Sequence, residues 1–233
     1  LVMAASPLFN GNPLYANIEW AIGACKRLGF NLPQFAFWTP EDWEKRKNET
    51  KHMVGAAQGW DVTDYASGDF DKTGAVLFTL RNGNLYDRTI GTPYCEKAII
   101  MKDGQTLPMH FHFSKTEDII NRCGGVLCVT VYNSKSEAEG YALDTESDVT
   151  LHLDGIPTTF PAGSTVEVTN GNSITLTPYV YHKFCAKGGD VIVGEVSSIN
   201  DDAKDNHFTE DLTLTIEEDE PVRHVLCGGY VQH

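Results

Sequence analysis

Near the middle of the chain His110 and His112 stand two apart in the run TLPMHFHFSKTEDII, and Glu117 follows five residues after the second histidine. In a β-strand, residues two apart point to the same face, so the spacing predicts both imidazoles on one side and Phe111 on the other. A bend at Ser114-Lys115 lets the returning chain bring the Glu117 carboxylate beside them. Two ring nitrogens and one carboxylate oxygen make a partial shell suited to a first-row divalent metal. A fourth donor is predicted at His182, in TLTPYVYHK near the end of a strand. A lone histidine in a strand is more often a hydrogen-bonded core or surface residue, so His52, His152, His224 and His233 carry no assignment. His-x-His with a glutamate at a return-strand distance is a metal-binding pattern.

The elements that must position these donors are legible in the surrounding texture. From about residue 75 the chain runs in short β-branched and aromatic stretches: AVLFTL, KAIIMK, VLCVTVYN, DVTLHLDG, STVEVTNG, SITLTP and DVIVGEV. Turn residues such as Asn82-Gly83 and Asp103-Gly104 separate them. Strands at this spacing predict an antiparallel sandwich or barrel. No βαβ alternation and no glycine-rich phosphate loop interrupts them. Ahead of this region, LYANIEWAIGACKRLG (14–29) repeats apolar residues at helical spacing and ends at Gly29. Thr39-Pro40-Glu41-Asp42 reads as a second helix start, with Thr39 as cap. Without repeat or linker, residues 1–233 read as one domain. Residues 1–60 form a helical extension, and 75–233 form the barrel and a C-terminal segment. The helices are expected to pack on the barrel or between subunits.

Bulk properties narrow the partners. Of 233 residues, 18 are Lys or Arg and 32 are Asp or Glu, a formal charge of −14 that repels nucleic acid. The hydrophobic share of 41% supports a real core. No run approaches the ~20 apolar residues of a membrane span, and the N-terminus lacks a secretory pattern. The six cysteines contain no C-x-x-C pair and read as buried, reduced thiols of a cytoplasmic protein. The acidic stretch Glu217–Glu220 reads as a solvent face.

The metal-like segment resembles the first cupin motif: Gly, five residues, His-x-His, four residues, Glu, six residues, Gly. Gly104, His110, His112, Glu117 and Gly124 match it position by position. For the second motif, Gly171 and His182 keep the usual separation. Thr177, Tyr179 and Ala186 stand where proline, glycine and asparagine are usual, which bears on the local turn more than on the ligand. The resemblance implies an all-β cupin (double-stranded β-helix) barrel with N-terminal helices. Longer strings, namely GWDVTDY, LFTLRNG, TLPMHFHFSKTEDIINRCGG, GDVIVGEVSSINDD with DNHF, and EDEP, resemble the bacterial D-lyxose isomerases. That narrower resemblance implies a manganese-dependent aldose–ketose isomerase. It would interconvert D-lyxose with D-xylulose, and D-mannose with D-fructose, through a cis-enediol. The same ligands also suit Co, Ni, Fe or Zn, and cupins often form homodimers.

Such chemistry needs a carboxylate near the metal that is not a ligand, to carry the proton between carbons 1 and 2. Glu195 in VIVGEVSS is the candidate base. If Lys97 in CEKAII points inward, its ammonium is placed to bind a sugar hydroxyl or a developing oxyanion. Lys115, in the bend before Glu117, is expected to reach substrate from the rim. The polar run Asn200-Asp201-Asp202 to Phe208 is expected to be a solvated loop that shapes the barrel mouth without donating catalytic groups. Two other readings suit the same donors: an iron-dependent cupin oxygenase, and a sugar-binding cupin without catalysis.

Overall fold

Apolar side chains recur along one side of Leu14–Leu28, and this stretch is helix α1, burying Leu14, Tyr15, Ile18, Ala21, Ala24 and Cys25. It ends as the sequence predicts. Gly29 takes a positive φ of 77°, and the Phe30 N–H returns to the Cys25 carbonyl at 2.9 Å. The structure, a computed structural model, describes residues 14–210, residue 212 and residues 222–227. Glu217–Glu220, EDEP and His233 lie outside them. A 3₁₀ turn (Gln34–Phe37) and two short helices follow, α2 (Pro40–Lys45) and α3 (Lys51–Gly55). The expected cap at Thr39 is present as a full capping box with Asp42.

Among the described residues, twelve strands form one antiparallel system: β1 (Gly59–Thr63), β2 (Ala75–Gly83), β3 (Gly91–Met101), β4 (Thr106–His112), β5 (Glu117–Ser134), β6 (Leu143–Asp144), β7 (Val149–Leu153), β8 (Ile156–Phe160), β9 (Thr165–Val168), β10 (Ser173–Leu176), β11 (Val180–Ser198) and β12 (Asn206–Phe208). The main path runs β1-β2-β3-β11-β5-β10-β7-β8. Strand β4 pairs with β11 and β12, and β6 and β9 pair with β5. The sheet therefore begins at Gly59, earlier than the boundary at residue 75 predicted from texture.

Alternation along the strands separates two cores. Ile99, Met101, Ile119, Val191 and Val193 pack with Val129, Val131 and Leu151 inside the barrel. Their neighbours Val76, Phe78, Ala98, Ile100 and Ile192 face outward and are covered by α1 with Trp60 and Val62. Apolar runs such as KAIIM arise because both faces of that sheet region are buried. Helix α1 thus lies on the barrel wall.

The runs VLCVTVYN and DVIVGEV read as separate short strands in the sequence. They are instead arms of β5 and β11, which pair from Val180↔Asn133 to Ser197↔Glu117. Glycines make the continuity possible. The register shifts between Lys187 and Val191, where Gly188 and Gly189 have φ of 73° and 139°. Opposite them Gly124 has φ 101°, and a Cβ there would lie 2.0 Å from the Asp190 carbonyl oxygen. Gly124→Ala is therefore expected to lose about 3 kcal/mol of stability in urea unfolding, combining a disfavoured backbone region with a clash. A loss below about 1 kcal/mol would show that the bend tolerates a side chain.

All six cysteines are free thiols. Only Cys25 and Cys95 are fully buried, and burial pushes both thiols up to about 12. The other four are half-buried, which departs from the expectation of buried thiols throughout. Among the described residues no helix is long and apolar enough to cross a membrane.

Candidate metal centre and active site

Strand β4 presents His110 and His112 on its inner face, and both are buried. His182 is the third residue of β11, so it sits near that strand's start and not its end, as the sequence suggested. It is the direct cross-strand partner of His110, with ring centroids 4.2 Å apart. The three imidazoles offer nitrogens that all lie within 4.8 Å of one another, a group able to hold a metal ion. Phe208 on β12 pairs with His110 from the other side and packs its ring at 5.1 Å.

Hydrogen bonds fix two of the ring tautomers. His110 Nδ1 lies 2.8 Å from the Pro108 carbonyl and His182 Nδ1 lies 3.0 Å from the Val180 carbonyl. A carbonyl only accepts, so each Nδ1 carries the hydrogen and each Nε2 presents a lone pair. Burial, then the neighbouring His182 and His112, hold His110 well below the usual imidazole range, in the neutral form a metal ligand needs.

Glu117 opens β5 and is 2% exposed. Its Oε1 lies 3.1 Å from His182 Nε2 and 3.3 Å from His112 Nε2. Yet His182 Nε2 has no hydrogen-bond partner among the described residues, so the closeness lacks the geometry of a hydrogen bond. A lone pair facing a carboxylate in a dry site is repulsive unless a cation accepts from both. The donor set therefore fits a metal ion.

Lys115 is not at the rim. It is 3% exposed, and its ammonium reaches Glu117 Oε2 at 3.0 Å, Glu195 Oε1 at 2.7 Å and Asn200 Oδ1 at 3.0 Å. It donates hydrogen bonds to Glu195 and Asn200 and forms an ion pair with Glu117. The bend that carries it is pinned by Asp205, whose carboxylate accepts from Ser114 N, Ser114 Oγ and Lys115 N at 2.8–3.0 Å. Burial alone would lower the lysine and raise the glutamate. The Lys115–Glu117 attraction outweighs it, so Lys115 is held up and Glu117 well below the carboxylate range.

Glu195 and Lys97 do point inward, as cross-strand partners of β11 and β3, each 4% exposed. The Lys97 ammonium contacts both oxygens of Asp202, at 3.1 and 3.2 Å. Burial opposes both charges, but the pairing holds Lys97 up and Asp202 down. The Asp202 side chain is 44% accessible, and that surface faces the two cavities it lines. The inner cavity measures about 70 Å³, with His110, His112, Glu117, Lys115, Lys97 and Glu195 on its walls.

The run from Asn200 is a turn that lines the cavities, as expected of a pocket-shaping loop, but it is only partly solvated. Asn200 and Asp202 supply partners for both lysines, and Asn206–Phe208 pair with β4 as β12. Sequence reasoning missed Asn200, Asp202 and Asp205. A signal existed: an inward ammonium requires a carboxylate, and the acids following Glu195 were the nearest in sequence.

An antiparallel double-stranded barrel with a histidine and glutamate pocket at its inner end defines this protein as a cupin. Within the cupins, a family model described as D-lyxose isomerase matches residues 13–230, and the chain belongs to that family of aldose–ketose isomerases. It is 42% identical over 207 residues to a D-lyxose/D-mannose isomerase of Escherichia coli O157:H7, covering 87% of this chain and 89% of that protein. It is 41% identical over 211 residues to the D-lyxose/D-mannose isomerase of Serratia proteamaculans, covering 88% and 91%. The fold is shared with the L-ribose isomerase of Acinetobacter sp. DL28, solved in complex with L-ribose. The TM-score is 0.51 and identity 16%, over 88% of this chain and 95% of that one.

Proposed function

We propose that the protein interconverts D-lyxose with D-xylulose, and D-mannose with D-fructose, with a divalent metal held by His110, His112, Glu117 and His182. The observation that carries this reading is the cluster of three buried imidazoles with Glu117 against two of them, beside a buried Lys115–Glu195 pair, in a chain of this family. When bound, the metal supplies Lewis acidity that polarises the sugar's carbonyl and lowers the barrier to losing the adjacent proton.

The chain's own groups do the remainder. Glu195 carries the proton from carbon 2 to carbon 1, because its carboxylate lines the cavity and is buried away from competing water. Lys115, fixed between Glu195 and Glu117, sets the carboxylate's orientation and stabilises negative charge developing on the sugar oxygens. Lys97, held by Asp202, presents a second positive group to the same cavity. Family membership favours this isomerase over an iron oxygenase or a binding-only cupin.

Manganese as the metal, a homodimer as the assembly and the cytoplasm as the compartment belong to the same reading. Six unpaired thiols suit a reducing compartment. Strand β8 ends the sheet path with Ile156 67% exposed, an edge that a second copy would cover. The helices and barrel act as one domain, because α1 covers the barrel's outer wall. Elemental analysis of the purified protein, followed by anaerobic assays of D-lyxose and D-mannose with Mn, Co, Ni, Fe and Zn, tests the proposal. Ketose formation without oxygen is expected. No ketose under any metal would overturn it.

A further inference from the structure

Asp61 on β1 is used by none of the chemistry above, yet it lines the cavity that holds the histidines. It also lines a second cavity of about 400 Å³ on the other side of the same wall, and only Asp202 shares that position. The second cavity is bordered by Asn82, Asn84, Tyr86, Asn200 and Asp201, with no lysine or arginine on its walls among the described residues. Such a lining offers hydrogen bonds to hydroxyl groups and repels phosphate.

Volume bears on what the inner cavity can hold. At about 10–15 Å³ for each water-sized group, 70 Å³ takes roughly five to seven heavy atoms. An aldopentose has five carbons, each bearing an oxygen, so only part of it fits there. The metal-proximal carbons with their oxygens fill that space, and the remainder must extend past the wall. We propose that Asp61 is a specificity-determining residue that accepts hydrogen bonds from the distal hydroxyls of the open-chain sugar, where that chain passes from the inner cavity into the larger one.

Three observations support the assignment. The alternation of β1 turns Asp61 and Thr63 to the cavity while Trp60 and Val62 pack under α1. Asp61 has no ion-pair partner among the described residues. The Lys97 ammonium goes to Asp202 instead, and the Asp61 carboxylate accepts from the Val62 N–H (2.9 Å, to Oδ1) and from the weakly donating Cys227 thiol. Burial, then the charge of nearby Asp202, push the Asp61 carboxyl up to about 7. A carboxyl group short of donors beside another acid gains from a hydroxyl that donates to it. A hexose carries one more carbon into the larger cavity than a pentose does, so Asp61 contributes to how the two are ranked.

The inference rests on the sugar-isomerase reading, and the test separates the two. KM and kcat for D-lyxose and D-mannose are measured on the metal-loaded enzyme and its Asp61→Ala and Asp61→Asn variants. Calorimetric binding of D-arabinitol and D-mannitol, which lack a carbonyl, runs in parallel. In the Ala variant, KM is expected to rise about 10–100-fold, more for the hexose, with kcat changed less than about threefold. Alditol binding weakens in step, and the Asn variant recovers part of the loss. Unchanged KM for both sugars overturns the inference, as does a fall in kcat at unchanged KM. If the Ala variant does not fold, the isosteric Asn variant decides by the same criteria. An unmodified enzyme with no turnover defeats the isomerase reading itself, whereas active enzyme with indifferent variants defeats only the role of Asp61.

Discussion

Replacing Glu195 by Gln is expected to lower kcat for D-lyxose by about 10²–10⁴-fold, with KM and metal content within about threefold of the unmodified enzyme. The amide keeps the shape of the side chain and can still accept the Lys115 ammonium, which holds Glu195 Oε1 at 2.7 Å. Lys115 also keeps Glu117 and Asn200 as partners, so no charge is orphaned in the buried site. What the amide cannot do is take a proton. A loss confined to kcat and kcat/KM would mark an interaction made in the transition state and not in binding. With D-lyxose deuterated at carbon 2, the unmodified enzyme is expected to carry deuterium to carbon 1 of the ketose, at a rate that falls with kcat in the variant. Undiminished turnover in Glu195→Gln would remove Glu195 as the proton carrier.

The metal-site residues were legible because their geometry is local. Two histidines on one strand face and a glutamate just past a bend are brought together by strand alternation alone, and His182 needed only the β4–β11 pairing to join them. Lys115 was misread because a lysine in a turn is ordinarily solvated. What buries it are Glu195, Asn200 and Asp205, lying 80 to 90 residues further along the chain. The run from Asn200 to Asp205 was expected to be more solvated than it is for the same reason. Its composition signals a turn, and nothing local reveals that two buried ammonium groups require it. Strand β1 escaped notice because GWDVT is only five residues long and is followed by the turn-rich DYASGDFDKTG. The long arms of β5 and β11 looked like separate strands because glycines punctuate a sequence whether they end a strand or bend it.

Glu117 occupies both halves of the site, and Glu117→Gln separates its two roles. One oxygen faces His182 and His112, and the other holds Lys115. If Glu117 is a metal ligand, an uncharged amide should weaken metal binding by at least about 10²-fold, since even groups that merely support a ligand are worth about 10–100-fold. A 10²-fold loss removes about 2.7 kcal/mol of metal-dependent stabilisation at a fixed saturating concentration. Melting curves across a Mn²⁺ titration would read this as a smaller shift in Tm and a midpoint moved to higher metal. Without metal the variant should melt modestly below the unmodified protein, since the Lys115–Glu117 attraction is lost while Lys115 retains Glu195 and Asn200. The opposite pattern, a metal-free protein that melts early but keeps its full response to Mn²⁺, would make Glu117 a counterion for Lys115 alone. The metal would then have to be held by the three imidazoles without it, and the carboxylate's closeness to two ring nitrogens would need another cause.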